Sequence, residues 1–179
     1  MCKLSPTAKP HLRAAILTLS DKGSRGERED RSGPALAAWL SQRSVEIAQT
    51  ALLADEMEEI AALLAKWSDE GQYDLILTTG GTGVSPRDRT PEATRRVLHL
   101  ELPGFAEAMR ARSMQITPLA MLSRAVAGIR GCTLIVNLPG SPKAAIECLE
   151  AVWPALRHAV DKIRGDNADC AEIALNSVS

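Results

Sequence analysis

Aromatic side chains make up only 3 % of the 179 residues, too few to furnish a row of stacking platforms for single-stranded bases. Charge of either sign is also in no excess. Lys and Arg number 21 against 22 Asp and Glu, a net charge of −1, so no overall basic field draws in a nucleic acid. No apolar run is long enough to cross a bilayer, and Met1 to Pro10 carries Lys3 and Lys9 without the apolar centre of a secretory signal. Nucleic acid and membrane are therefore not expected partners, and the cytoplasm is the expected location. Cys2, Cys132, Cys148 and Cys170 are widely spaced with no C-x-x-C pair, which argues against a zinc knuckle or a redox dithiol. What remains is a chain of ordinary globular composition, 45 % hydrophobic and 24 % charged. Its length fits one domain, expected over residues 13–165 with tails at 1–12 and 166–179.

Apolar runs alternate with helical patterns along the chain. Arg13 to Leu19 is almost continuously apolar, as in a strand covered on both faces. Leu36, Ala37, Trp39 and Leu40 give a helical face after Ser32-Gly33-Pro34. Val45, Ile47 and Ala51-Leu52-Leu53 mark a second strand, and Ile60, Leu63, Leu64 and Trp67 stand at i, i+3, i+4 and i+7, the spacing of an amphipathic helix. A third strand is Leu75 to Thr79 and a fourth Thr133 to Asn137, with Phe105, Met109 and Met114 on a helical piece between them. Ser123 to Ile129 fits an irregular strand or a turn. Ile146, Leu149, Trp153, Leu156, Val160 and Ile163 line the last helix at three- and four-residue steps. The pattern predicts an α/β fold, a three-layer sandwich with a mainly parallel central sheet and helices on both faces.

In such sheets ligands bind beyond the carboxyl ends of the strands, and four polar clusters fall there: Ser20-Asp21, Asp55, Gly80 to Asp88, and Asn137 to Ser141. The most distinctive is Thr79-Gly80-Gly81-Thr82-Gly83, where glycines permit positive φ and let bare amides approach an anion. It lacks the G-K-[ST] of a Walker A loop and the third glycine of a dinucleotide fingerprint, so a tight turn and an anion cradle both fit. Thr90 is expected to cap the next helix and Pro91 to open it. Ser141 and Pro142 repeat that arrangement. Lys22 to Arg31 reads as a polar loop, either solvated surface or a lid whose Ser20, Asp21 and Ser24 reach a ligand. Asp55 with Glu58 three residues on has the spacing of a capping box.

Several of these stretches together resemble one family. Leu77-Thr78-Thr79-Gly80-Gly81-Thr82-Gly83, Pro86-Arg87-Asp88-x-Thr90-Pro91-Glu92-Ala93-Thr94, Pro103-Gly104, Ile116 to Arg124, Gly128-Ile129-Arg130-Gly131 and Asn137-Leu138-Pro139-Gly140-Ser141-Pro142 occur in one order. They are similar to the molybdopterin adenylyltransferases of molybdenum cofactor synthesis, including the G domains of the plant fusion protein and gephyrin. The likeness runs from about Ala14 to Gly165.

That resemblance implies transfer of AMP from ATP to the terminal phosphate of molybdopterin, with release of pyrophosphate assisted by Mg²⁺. It places the catalytic, metal-holding carboxylates at Asp55 and Asp88, reversing the capping preference for Asp55. Substrate contacts fall on Ser20, Asp21, Thr79, Gly80, Gly81, Thr82, Gly83, Ser113, Ser123, Asn137, Pro139, Gly140 and Ser141. A homotrimer and a separate molybdate-inserting partner enzyme are implied as well. The alternative is a noncatalytic pterin-binding or scaffold protein of the same fold.

Overall fold

A computed structural model describes residues 11–165. The tail expected at 166–179 lies outside the described residues, as do residues 1–10 of the N-terminal one, while Leu12 already opens the first strand. The strands are β1 (Leu12–Leu19), β2 (Val45–Leu53), β3 (Leu75–Thr79), β4 (Leu100–Glu101), β5 (Ala127–Arg130) and β6 (Thr133–Leu138). They form one sheet in the order β2-β1-β3-β6-β5-β4. The first four in that order run parallel, β5 runs antiparallel to β6, and β4 pairs antiparallel to β5.

The alternation of side chains along a strand explains the layering. A single helical turn, α1 (Asp21–Ser24), follows β1, from which Ala14 and Ile16 enter one core with α2 (Ser32–Ser41), α5 (Pro103–Met114) and α6 (Pro142–Ile163). Ala15, Leu17 and Leu19 enter a second core with α3 (Met57–Asp69) and α4 (Thr90–Val97) on the opposite face. Ile16, Leu17, Leu75, Ile76 and Leu77 are all fully buried, each stabilising the fold by roughly 1.5–3 kcal/mol. Truncating Leu77 at the centre of β3 would hollow the first core. That core also holds Trp39 edge-on to Trp153, with ring centroids 5.1 Å apart, and Trp67 lies against Tyr73 in the second. No helix among the described residues is long and apolar enough to cross a membrane.

The segment left open at Ser123 to Ile129 resolves into an extended stretch and β5. Its Gly128 is required there, because a Cβ would strike the Leu100 carbonyl of the paired β4. Chain order decides where a ligand can enter. β1 connects through α2 to β2 on one side, and β2 connects back through α3 to β3 on the other side of β1. The strand order therefore reverses between β1 and β3, the place where a crevice opens in doubly wound sheets.

Candidate active site

At that reversal lies a cleft of about 550 Å³, lined by Thr18 to Ser20 at the end of β1, by Arg28 to Ser32 leading into α2, and by Asp55, Thr79 to Gly81, Asp88 and Gly140 to Pro142. Three strand ends meet at Gly80. Its amide donates to Leu138 O, a Cβ on it would strike the Leu19 carbonyl, and a Cβ on Gly140 would stand 3.3 Å from its Cα. Gly80 and Gly81 take φ of +103° and +62°, the left-handed region that glycine enters without a Cβ clash.

The carbonyl side of this glycine loop is tied down from outside. Thr90 Oγ1 donates to Gly80 O at 2.9 Å and Thr90 N to Gly81 O, Arg124 N donates to Thr82 O, and Arg124 Nε to Gly83 O at 2.6 Å. Among the described residues no acceptor takes the amides of Gly81, Thr82 or Gly83. A loop whose carbonyls are spoken for and whose amides are not is built to meet an anion. The expected capping by Thr90 is corrected here. Thr90 is already the first residue of α4 and makes no cap bond, since its buried hydroxyl turns back to the Gly80 carbonyl.

Asp55 is likewise not a cap. α3 begins at Met57 with Glu56 at the cap position, and Glu58 pairs with Arg96 rather than completing a capping box. Asp55 Oδ2 accepts from Asp21 N at 3.1 Å, and its own amide donates to Asp21 Oδ1 at 3.1 Å. Its Oδ1 is buried with no hydrogen-bond partner among the described residues. Burial, then the nearby charges of Asp21 and Asp88, push the Asp55 carboxyl above the usual carboxylate range. Asp21 shifts the other way, from 3.8 to about 2, because Arg87 grips it with two bonds of 2.9 and 2.8 Å. Arg87 also reaches Glu56 at 2.7 Å.

Glycine spacing is fitted to these acids. A Cβ on Gly81 would lie 2.6 Å from Asp55 Oδ1, and one on Gly83 2.9 Å from Asp88 Oδ2. Asp88 Oδ2 accepts from Ser85 N at 2.8 Å. On the far wall, Ser141 occupies the cap position of the 22-residue α6 without forming a side-chain cap bond. Its hydroxyl and the positive end of that helix both border the cleft.

The structure gathers Ser20, Asp55, Thr79, Gly80, Gly81, Asp88, Gly140 and Ser141 around one space. Asp21 borders it through Asp55, and Thr82 and Gly83 continue the loop. Pro139 O accepts from Thr79 Oγ1 at 2.7 Å. Asn137 is fully buried and donates to Thr78 Oγ1 and Thr94 Oγ1, both at 2.9 Å, tying β6 to β3 and α4. Ser113 sits on α5 beside Cys148 Sγ at 3.4 Å, and Ser123 follows a short 3₁₀ turn (Pro118–Leu122). Neither serine is among the residues lining the cleft. The lining also includes Thr18, Asp30 and Ser32, which the sequence patterns did not single out. Asp30 Oδ2 accepts from Thr18 Oγ1 at 2.7 Å while Oδ1 accepts from the amides of Ser32 and Gly33. An Asp two residues before Ser32-Gly33 was a readable helix-cap signal.

A hard divalent cation suits this donor set. A buried carboxylate oxygen without a partner and a second carboxylate on the same cleft supply anionic oxygens. No group of three or more His, Cys, Asp and Glu side chains placed to hold an ion occurs among the described residues. The chain by itself would thus supply one or two carboxylates and leave the other positions to phosphate and water, the usual pattern for Mg²⁺.

Residues 15–158 match the family described as a probable molybdopterin binding domain. The molybdopterin adenylyltransferase of Helicobacter pylori strain J99 is 48 % identical over 153 residues, covering 84 % of this chain and 87 % of that protein. The enzyme of the same name from Escherichia coli K12 is 44 % identical over 147 residues, or 80 % and 75 % of the two chains. A solved structure of the molybdopterin biosynthesis enzyme MoaB from Thermus thermophilus is 54 % identical and superposes with a TM-score of 0.82 over 87 % of this chain and 98 % of the other. With a match running through both glycine loops and both acids, the chain belongs to the molybdopterin-binding domain family.

Proposed function

We propose that the chain is a molybdopterin adenylyltransferase, transferring AMP from ATP to the terminal phosphate of molybdopterin and releasing pyrophosphate. The observation that carries this reading is the convergence in one cleft of Asp55, Asp88, the glycine loop and the N-terminus of α6. The name of the relatives from Helicobacter pylori and Escherichia coli supports it. In the reaction an oxygen of the pterin's phosphate attacks the α-phosphorus of ATP, and the bond to the bridging oxygen of pyrophosphate breaks. The attacking oxygen is already anionic, so no general base is needed. The work lies in alignment and charge neutralisation.

Each part of the cleft has a task in that scheme. The unclaimed amides of Gly81 to Gly83 hold nonbridging phosphate oxygens, and the α6 N-terminus at Ser141 supplies a second anion subsite. Asp55 and Asp88 hold Mg²⁺, which when bound would neutralise charge on the reacting phosphates. Among the described residues the cleft is lined by glycines, hydroxyls and carboxylates rather than aromatic rings, a lining suited to the pterin's phosphate and polar edges.

The chain is expected to act in the cytoplasm and to hand its product to a molybdate-inserting enzyme. It is also expected to form a homotrimer. Leu119, Met121 and Leu122, at 70, 66 and 49 % exposure, present an apolar surface on the 3₁₀ turn that a second copy would cover. Light scattering on the purified protein checks the trimer. For the activity, pyrophosphate release is measured with ATP, Mg²⁺ and molybdopterin. Asp88→Ala is expected to lower it at least about 10³-fold with the fold intact, and full turnover by a folded Asp88→Ala protein would sink the assignment. Molybdopterin binding without any pyrophosphate release by the unaltered protein would favour a noncatalytic scaffold.

A further inference from the structure

Arg124 does not line the cleft, yet it holds the glycine loop along most of its length. Its backbone amide donates to Thr82 O at 2.9 Å, its Nε to Gly83 O at 2.6 Å and its Nη2 to Asp88 O at 2.6 Å. The remaining edge of the guanidinium, Nη1, pairs with Glu92 on α4. Glu92 presents only Oε1 to this contact. Its Oε2 is buried with no hydrogen-bond partner among the described residues. Glu92 and Arg124 thus form a half-buried pair lying behind the loop.

We propose that Arg124 is a positioning residue for AMP transfer, acting through the loop that carries Asp88. One planar guanidinium spans the carbonyls of Gly83 and Asp88, the two ends of a short excursion at 84–87. Within that excursion Asp88 N donates to Ser85 O and Ser85 N donates to Asp88 Oδ2. Fixing both ends sets where the Asp88 carboxylate stands and pulls the loop carbonyls away from the phosphates, leaving the amides to face them. A lysine keeps the charge but donates its three N–H bonds from a single atom, so it does not reproduce the planar fork that reaches two carbonyls and a carboxylate from three separate nitrogens. The Leu122-Ser123-Arg124 stretch links this clamp to the exposed 3₁₀ turn, and the clamp is complete whether or not that surface is covered.

This role for Arg124 rests on the cleft being the site of AMP transfer, and its test separates the two. Arg124→Lys is compared with the unaltered protein by pyrophosphate release and, without substrates, by hydrogen exchange. The expected result is a kcat lowered roughly 10–100-fold, as for displaced catalytic groups, with KM for molybdopterin within about twofold. Exchange at the Ser85, Asp88 and Thr90 amides should rise about tenfold or more while that of β3 and β6 is unchanged. Glu92→Gln, which loosens the anchor but leaves the carbonyl bonds, should show the same changes at smaller size, and it decides the matter if Arg124→Lys fails to fold. A kcat within twofold of the unaltered value overturns the inference, as does a kcat loss with loop exchange unchanged. No pyrophosphate release from the unaltered protein defeats the transfer reading itself, and this inference with it.

Discussion

The two loops that wall the cleft are held by different forces. The loop after β3 is fixed by hydrogen bonds from the buried Thr90 and the half-buried Arg124 to its carbonyls. The loop after β1 is held by its own turn bonds, by Asp21 N to Asp55 Oδ2 and, at its inner end, by the Asp30 bonds to Thr18, Ser32 and Gly33, while the side chains of its outer part are held by exposed ion pairs, Arg87 to Asp21, Arg25 to Glu27 and Arg31 to Glu29. Buried bonds are insensitive to salt and costly to break, whereas exposed pairs are weak and screened. One wall is thus a rigid template and the other is adjustable at its outer, ion-paired part. The two meet at Asp55, whose carboxylate and amide both bond to Asp21 while its free oxygen lies against Gly81.

Removing the charge at that junction should have the largest effect. Asp55→Asn is expected to lower pyrophosphate release by about 10²–10³-fold or more while raising unfolding stability at pH 7 by about 0.5–2 kcal/mol. The sign follows from the raised carboxyl. The folded state holds this proton more tightly, so the unaltered protein loses stability as pH rises from near 4 through the raised value. The advantage of Asn should therefore shrink as pH falls toward 4 in chemical denaturation. A variant less stable at every pH would show that the orphaned oxygen carries no cost.

Gly81→Ala attacks the rigid wall directly. At φ +62° an alanine is strained, and its Cβ would press on Thr90 Oγ1 and on Asp55 Oδ1. A loss of about 2–4 kcal/mol is expected in urea unfolding, with activity falling alongside it. Asp30→Ala is the corresponding change at the inner end of the adjustable wall. It removes two helix-cap bonds and one hydroxyl partner, and should cost about 1–2 kcal/mol by the same measurement.

Arg87→Ala should have the smallest effect, a fall in melting temperature of about 1–3 °C that fades in high salt. Its signature is in acid. With its pKa held near 2 by Arg87, Asp21 adds stability above its ordinary 3.8 and loses it as pH falls toward about 2. Without Arg87 that acid-side slope should flatten. A large loss of stability in this variant would break the contrast between the walls.

The parallel half of the sheet was legible because β1, β3 and β6 are buried on both faces and read as unbroken apolar runs. The antiparallel edge was not. β4 is two exposed residues, and β5 contains Gly128. β5 exists because it pairs with β6, and β4 because it pairs with β5, which is a tertiary fact with no local pattern. The site divides in the same way. Glycine loops at strand ends carry a sequence signature, but the roles of Thr90, Asp55 and Arg124 depend on partners 10, 34 and 36 residues away. Local cap rules therefore misassigned the first two.

The placement of the tryptophans has a practical consequence. Trp39 and Trp153 stand edge to face inside one helical layer, and Trp67 lies against Tyr73 in the other. None of the three borders the cleft. Intrinsic emission of this protein is therefore a gauge of whether its two cores are assembled. A pterin entering the cleft would be followed by its own near-ultraviolet absorbance, so folding and occupancy can be read as two separate optical signals.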